Sequence, residues 1–440
     1  MEAPEKLLVE LSGVSGVAVE ELSDAPECKR VCFSMEREKI NCRQRVLFLR
    51  LPAGGGYGLV PVSAFDATGV RSARLTEIYE GWKTKEDTED AGELVGAING
   101  GYFIFIERLW SRASRFYAEH TRVGDPIGLL MTEGSVKSPP LYGRAAVIVD
   151  DEGRMNISRA EMTDVKISFV NSAGARAEFH PEAINVNDPG HVVVFTPAWK
   201  DKDTPRDKGA MDAAVICNTV AAAGSGGGIS IPVNGFVLSA PISAWNGITG
   251  RELRKNDVTV TIEISDKGKG RHGRVRHALE AGPALVRGGE PHDVDVEFLN
   301  MQGFVQGTPP FPAFNSVLTH YRLPAPRMCL GLTESGDVLI ALFEGRMPDE
   351  SDGVTLNEAA RVMAAVGCRE AVNLDGGASA EIILGGKSLN TPQLGGDKKW
   401  LDRGLDFLTK YMRAGTLPTS EALGGGDERT IGSALMIVRG

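Results

Sequence analysis

The sequence is poor in cysteine and histidine, and this scarcity argues against a metal centre. Six cysteines occur in 440 residues, and only Cys28, Cys32 and Cys42 lie near one another, with no histidine beside them. Zinc sites need about four sulfur or nitrogen ligands at short, regular spacings. The cluster therefore indicates core thiols or one disulfide. Most of the 7 histidines fall in polar stretches without ligand spacing, and we predict no metal and no cofactor.

The sequence also lacks a long apolar run and a block of basic residues. No stretch of about 18 apolar residues occurs, so we expect no transmembrane segment. The first residues, MEAPEKLLVELSG, are acidic and lack the basic and apolar parts of a secretory signal. We therefore expect a cytoplasmic protein from the sequence as written, or a secreted one whose signal has been removed.

Charge narrows the class of partner. The net charge is −10 and the isoelectric point is about 5.4, which disfavours nucleic acid and anionic membranes as partners. A small molecule or a glycan is the expected partner. No feature of the sequence indicates an oligomeric state.

Short strand-like runs dominate the first two thirds of the sequence, and helical patterns appear near its end. Runs such as RVLFLRL, AAVIVDDEG and VTVTIEI are apolar or alternating and end at turn residues. Apolar spacing predicts a helix over 356–366 and a second over 400–415. We predict an α+β fold with a mixed, mostly antiparallel sheet and helices packed on it. One large domain at 46–440 follows an N-terminal extension at 1–45.

Three stretches interrupt this pattern and are predicted to be loop insertions. A charged segment with two prolines, PAWKDKDTPRDKGAMD, begins just before the stretch 199–230, which also holds a glycine-rich segment, and residues 303–326 carry five prolines. Long ordered loops often line a site. We therefore single out His320, which the second of these loops could bring to a cleft. The third stretch, 104–123, is considered below.

Two glycine turns stand at the ends of predicted buried strands. AVNLDGGASAEI contains Asp375, Gly376, Gly377 and Ser379, and GAINGGYFIFI repeats the pattern at Asn99 some 270 residues earlier. Glycine lets the backbone turn sharply and approach a ligand closely. Two turns of one pattern suggest a common ligand, and we predict that Asn99 and Asp375 lie within about 14 Å of each other. Two independent turns, each capped by its own side chain, are the alternative.

Taken in order with three further motifs, these turns resemble the phosphodiester glycosidase family. IPVNGFVLSAP also resembles the middle of bacterial members, and segment 104–123 is longer than in many relatives. The motifs that carry the resemblance are Ala97 to Phe103, Gly282 to Val286, Arg327 to Gly331, Glu344 with Gly345 and Arg346, and Asn373 to Ser379. At Glu344 the family more often has Asp.

The resemblance implies a hydrolase that cleaves a sugar-1-phosphodiester, with an α-N-acetylglucosaminyl or related sugar, at the anomeric carbon. Sugar and phosphomonoester would be released. Such a reaction passes through an oxocarbenium-like state that a carboxylate stabilises, while cationic or amide donors hold the phosphate. The catalytic candidates are Asp375, Glu344 and Asn99. The candidates for binding phosphate or sugar are Gly100, Gly101, Arg327, Arg346, Gly376, Gly377, Ser379 and Arg429.

Other interpretations of the same residues stay open. Arg346 could simply pair with Glu344, and Asp375 could cap its turn. Asp375 or the acidic loop MPDESDG could instead bind a structural calcium ion. A catalytically silent glycan-binding or envelope polysaccharide module and a glycosidase without a phosphate requirement are the alternative functions.

Overall fold

The chain is described from a computed structural model. The structure describes residues 4–85, 92–104, 122–265, 270, 273–304, 322–347, 350–392 and 429–440. The predicted helix at 400–415 and His320 lie outside these residues, as does most of the predicted loops 104–123 and 303–326.

Strands make up most of the regular structure, and they form five sheets. Sheet 1 has eight strands, in spatial order β1 (Val14–Asp24), β2 (Glu27–Arg37), β3 (Ile40–Leu51), β22 (Val338–Phe343), β21 (Arg327–Thr333), β23 (Cys368–Asn373), β19 (Ala284–Arg287) and β20 (Glu290–Pro291). Sheet 2 has the order β25 (Lys387–Ser388), β24 (Ile382–Leu384), β5 (Glu93–Asn99), β26 (Ser433–Arg439) and β4 (Tyr57–Ser63).

The other three sheets are built from the middle of the chain. Sheet 3 has the order β7 (Ser135–Ser138), β6 (Leu130–Thr132), β18 (Val275–Glu280), β8 (Ala145–Asp150) and β9 (Met155–Arg159). Sheet 4 has the order β12 (Ala183–Ile184), β13 (Val193–Phe195), β16 (Gly235–Pro241), β14 (Ala210–Ile216) and β15 (Thr219–Ser225). Sheet 5 has the order β11 (Arg176–Phe179), β10 (Val165–Asn171) and β17 (Val258–Ile264). Of the pairings described, that of β12 with β13 is parallel and the rest are antiparallel.

Helices are few and short in the described part of the chain. They are α1 (Pro4–Val9), α2 (Ala64–Thr68), α3 (Leu75–Lys83), α4 (Gly250–Lys255), α5 (Val296–Met301) and α6 (Leu356–Ala365). Helix α6 forms where its apolar spacing predicts, begins at a capping box of Thr355 and Glu358, and packs on β19 and β23. None of the described helices is long and apolar enough to cross a membrane.

The prediction of an α+β core with helices packed on a sheet is wrong, because the protein is mostly β, with 47% strand and 15% helix. Segments assigned to loops or to an extension are strands: β14 and β15 lie within 199–230, and β1 and β2 lie within 1–45. Packing of strand side chains against other sheets supplies the core that helices were expected to supply. The division into an extension and one large domain stays a prediction.

The central strands of sheet 1 are buried on both faces. Along β3, Val46 and Phe48 join one apolar cluster, while Leu47 and Leu49 join a second on the opposite face. Successive side chains of a strand point to opposite faces. This explains why RVLFLRL is a continuous apolar run rather than an alternating one. The ends of these doubly buried strands position the site.

Candidate active site

Three neighbouring strands of sheet 1 bring the predicted site residues together at one end of the strands. In the antiparallel register Arg327 pairs with Phe343, and Cys329 pairs with Asn373. The start of β21 therefore lies beside the ends of β22 and β23. The chain then turns, with the Gly377 N–H donating to the carbonyl oxygen of Pro326 at 2.8 Å. Arg327 at the start of β21, Arg346 after β22 and Asp375 after β23 thus lie on the same side of sheet 1, where these strands begin or end.

Sheet 2 delivers the second glycine turn to the same place. The side-chain Nδ2 of Asn99 donates to the carbonyl oxygen of Asp375 at 2.8 Å, and the Asp375 N–H donates to the carbonyl oxygen of Gly100 at 3.2 Å. The predicted approach of Asn99 to Asp375 is therefore met. The Oδ1 of Asn99 accepts the Glu381 N–H at 3.2 Å. Asn99 is buried with its amide bonded to the backbone, so it joins the two turns. A direct role toward substrate stays a prediction.

The glycines allow backbones to approach closely at the site. A Cβ on Gly101 would lie 2.5 Å from the carbonyl oxygen of Glu280, and one on Gly376 would lie 2.8 Å from that of Pro326. Side chains cannot be accommodated at such distances. The amides of Gly100, Gly376 and Gly377 donate to protein oxygens. The predicted use of these amides to hold phosphate stays a prediction, and the arginines are the better-placed donors.

Asp375 is a half-buried carboxylate surrounded by donors. Its Oδ1 accepts the Gly376 N–H at 2.9 Å. Burial raises the pKa of Asp375, and the positive charge of Arg429, the nearby Ser379 hydroxyl, the Gly376 amide and the charge of Arg327 oppose that rise. Ser379 is buried in the short turn Gly377–Ser379. A carboxylate that is part-desolvated yet flanked by cations is suited to stabilise positive charge developing on a substrate.

Two arginines, Arg429 and Arg327, act on this carboxylate, and Arg346 lies near both of them. Arg327 is buried, and its Nη2 donates to the carbonyl oxygen of Leu323 at 3.1 Å. Arg346 has a left-handed backbone (φ 61°), and its guanidinium faces Gly377. The Arg429 guanidinium lies 5.5 Å from the centre of the Phe103 ring. Burial, followed by the charges of Arg327 and Arg429, lowers the pKa of Arg346 to about 10. The three cations are therefore close enough to repel one another, and an anion bound among them would relieve that repulsion.

Glu344 has a different arginine neighbour, Arg45. Along β22, Phe343 points into the core cluster on one face and Leu342 into the other, and Glu344 continues on the side of Leu342. Its Oε2 lies 3.0 Å from Nε of Arg45. Burial raises the pKa of Glu344, and the charges of Arg45 and Arg30 oppose the rise. The two predicted catalytic carboxylates therefore have different arginine neighbours, Arg45 for Glu344 and Arg429 with Arg327 for Asp375. The catalytic role of Glu344 stays a prediction.

Four residues without an assigned role lie behind the site. The Tyr102 hydroxyl donates to the carbonyl oxygen of Gly282 at 2.9 Å and accepts from Nδ2 of Asn373 at 3.0 Å. Glu280 is buried, and burial raises its pKa to about 7 against the opposing charge of Arg144. Tyr102, Asn373 and Glu280 stand inside or beside the quoted motifs, so motif membership was the available signal for them. Arg144 carries no comparable signal in the sequence.

Within the described ranges, no group of three or more His, Cys, Asp or Glu side chains is placed to hold a metal ion. Two residues of the acidic loop 347–353 lie outside those ranges, so the calcium alternative stays a prediction.

Comparison with known proteins gives one family match. The phosphodiester glycosidase family model matches residues 210–405. This segment contains Glu344, Arg327, Arg346 and the 375–379 turn, whereas the Asn99 turn and Arg429 lie outside it. A search of curated proteins finds no match.

Three solved structures are similar to the chain at low identity. A hypothetical protein from Synechocystis is 17% identical with a TM-score of 0.49, covering 97% of this chain and 64% of its own. The chain thus spans less than two thirds of that protein. A putative exported protein from Burkholderia pseudomallei K96243 is 18% identical with a TM-score of 0.47, covering 90% of this chain and 74% of its own.

The third structure is the zebrafish N-acetylglucosamine-1-phosphodiester α-N-acetylglucosaminidase catalytic domain, auto-inhibited by its pro-peptide. It is 12% identical with a TM-score of 0.39, covering 98% of this chain and 85% of its own. Structural similarities this low support no statement about the site. The resemblance to the phosphodiester glycosidase family is nevertheless confirmed by the family match, and residues 210–405 are the segment that carries it.

Proposed function

We propose that this protein hydrolyses a glycosyl phosphodiester at the anomeric carbon and releases a sugar and a phosphomonoester. The observation that carries the proposal is a cluster of Arg327, Arg346 and Arg429 at the strand ends of sheet 1, two of which, Arg429 and Arg327, act on Asp375. The family match over 210–405 supports the reaction class. The identity of the sugar as α-N-acetylglucosaminyl rests on the family resemblance alone.

The arginines suit the phosphate half of this substrate. A guanidinium donates two parallel hydrogen bonds to phosphate oxygens, and its charge persists at neutral pH. As the bond from C1 to oxygen breaks, the phosphate gains negative charge. Cations fixed in position then stabilise the transition state more than the ground state. A phosphate that leaves in this way has little need of a strong general acid.

Asp375 suits the sugar half. The positive charge of Arg429 favours its carboxylate form against the effect of burial, and that form can stabilise an oxocarbenium-like carbon or orient the attacking water. Glu344 contributes in this proposal by holding the strand end that carries Arg346, since its backbone bonds to Arg45 and Ser351. No step requires a metal ion.

Hydrolysis in ¹⁸O-labelled water tests which bond breaks. We expect the label on the C1 hydroxyl of the sugar, an unlabelled phosphate product, and activity that survives EDTA. Attack at phosphorus would instead place the label in phosphate. Label in phosphate, or loss of activity with EDTA while the protein stays folded, would replace the proposal by a metal-dependent phosphodiesterase.

A matched substrate pair separates the remaining alternatives. Arg346→Met should lower kcat/KM for the phosphodiester by about tenfold or more and should leave turnover of an aryl glycoside of the same sugar unchanged. An equal effect on both substrates would favour a glycosidase without a phosphate requirement. Absence of turnover with both substrates would favour a silent glycan-binding module.

A further inference from the structure

We infer that Tyr102 is a positioning residue of the site, acting through Asn373 on the strand end that carries Asp375. The inference rests on the proposed function for its kinetic consequence. Its structural part rests on hydrogen bonds that join three separate segments of the chain.

The Tyr102 hydroxyl is the common point of these segments. Tyr102 follows the Gly100–Gly101 turn and is buried, and its hydroxyl both donates to Gly282 and accepts from Asn373. The Gly282 N–H donates to the carbonyl oxygen of Asn373 at 2.9 Å. This phenol therefore connects the segment that follows β5, to which Tyr102 belongs, with the turn before β19 and with the end of β23.

Asn373 connects Tyr102 to the backbone of Asp375, which lies two residues later. Besides Tyr102, its Nδ2 reaches the carbonyl oxygens of Gly282 at 3.1 Å and Leu374 at 2.6 Å. The Leu374 carbonyl belongs to the peptide that leads directly into Asp375. Rotation of the Asn373 amide would therefore move the backbone that sets the direction of the Asp375 carboxylate.

The tyrosine ring is itself held from behind. Phe304 meets it edge to face, with ring centres 5.9 Å apart at 81°. The Arg144 guanidinium lies 4.3 Å from the centre of the Phe304 ring and 4.3 Å from that of Tyr142. Such packing fixes the ring plane. Burial and the charge of Asp375 raise the pKa of Tyr102, so the phenol stays neutral and keeps its proton for Gly282.

Removal of the phenolic oxygen would leave its two partners, the Asn373 Nδ2 and the Gly282 carbonyl, hydrogen-bonded to other groups. In Tyr102→Phe, Asn373 keeps two carbonyl acceptors, and the Gly282 carbonyl keeps the Asn373 donor. The large cost of an orphaned buried group is therefore avoided, and the loss of stability should stay near that of one hydrogen bond, about 1 kcal/mol in general. A purely structural tyrosine would then show almost no effect on turnover.

The test compares Tyr102→Phe with Tyr142→Phe. Tyr142 is also buried beside Arg144, and its hydroxyl donates to the carbonyl oxygen of Val233 at 2.9 Å, without a described contact to Asn373. We expect Tyr102→Phe to lower kcat by about tenfold with little change in KM, because small misplacements of a catalytic group have large effects. Tyr142→Phe should leave both constants within about twofold of the wild type, since a hydrogen bond remote from the reacting groups affects stability rather than turnover.

Hydrogen exchange supplies a readout that does not depend on activity. The amides of residues 374, 375, 376 and 377 are all hydrogen-bonded, and we expect them to exchange faster in Tyr102→Phe but not in Tyr142→Phe. Unchanged exchange and unchanged kcat in Tyr102→Phe, or equal effects of both variants, would overturn the inference. If the wild type does not hydrolyse glycosyl phosphodiesters, the proposed function fails, and the exchange result alone decides the positioning role.

Discussion

Asp375 and Glu344 are both carboxylates that follow a buried strand, and their surroundings give them different properties. Asp375 is half-buried among Arg327, Arg429 and Ser379, whereas Glu344 is buried against Arg45. The pKa of each is raised by burial. The charges of Arg429 and Arg327, which we assign to phosphate, act on Asp375, and we therefore predict that turnover depends on this carboxylate.

Asp375→Asn should lower kcat by about a hundredfold or more. The near-isosteric amide removes the negative charge that stabilises the positive charge developing on the sugar in the transition state. Because the raised pKa of Asp375 keeps it protonated to higher pH than a free Asp, wild-type kcat should also fall on the acid side at a higher pH than a free Asp would give. Steady-state kinetics across pH, with a thermal melt to show that the variant folds, makes the measurement.

Asp337→Asn is the matched control for that substitution. Asp337 is also buried, and it binds Arg50 and the Ala53 N–H at the opposite end of β22. This variant should lose stability and keep its kcat. A folded Asp375→Asn variant with nearly normal turnover would return Asp375 to the role of a turn cap.

At the scale of elements, the N-terminal strands are part of sheet 1. Strand β2 pairs along its whole length with β3, and its side chains Val31, Phe33 and Met35 are buried in the same apolar cluster as Val46. Arg37 of β2 forms two hydrogen bonds of 2.7 Å with Glu358 of α6. Residues predicted as an extension are therefore joined to the elements that carry the site.

Phe33→Ala should destabilise the main unfolding transition by about 3–5 kcal/mol, the usual cost of removing a buried phenylalanine ring. Val19→Ala on β1 is the control, because Val19 is 43% exposed and should change stability by only about 0.5 kcal/mol. Urea unfolding followed by intrinsic fluorescence and circular dichroism measures both. A separate early transition for Phe33→Ala, with the main one unchanged, would show that the N-terminal segment folds by itself.

At the scale of the whole molecule, the net charge is −10, yet the site gathers cations and the core beside it holds an acid. Glu280, the last residue of β18, is 2% exposed, and Arg144, whose charge acts on it, is 0% exposed. Such a pair couples the protonation of the interior to the stability of the fold.

This coupling predicts a pH-dependent stability. Burial raises the pKa of Glu280 to about 7 in the folded protein, above its ordinary value of 4.5, so the folded state binds the proton more tightly than the unfolded state. Proton binding by Glu280 therefore stabilises the fold fully below about pH 4.5, and this stabilisation is lost as the pH rises through about 7. The Tm of the wild type, measured relative to that of Glu280→Gln, should fall as the pH rises through that interval and should stay constant at higher pH. A constant difference from pH 4.5 to 8 would contradict the assignment.

Local patterns in the sequence determined a substantial part of the architecture. Apolar spacing and a capping box defined α6, and the run before Asp375 defined β23. The paired glycine turns predicted that Asn99 and Asp375 would meet, because only a close approach of backbones explains glycine at such positions. The order of the motifs also indicated the family that residues 210–405 match. These features depend on neighbours in sequence or on motifs that can be read directly.

Tertiary structure decided which faces of the strands meet. A period of two gives alternate sides of a strand but not which core each side joins, so the ion pair of Glu344 with Arg45 could not be read from it. Residues 14–37 and 210–225 were not predicted to be strands. They form strands because they pair with other strands of sheets 1 and 4, and the local sequence does not specify those partners. The Tyr102–Asn373 bond joins residues 271 apart. Contacts of this kind depend on how the sheets pack, and no local propensity specifies them.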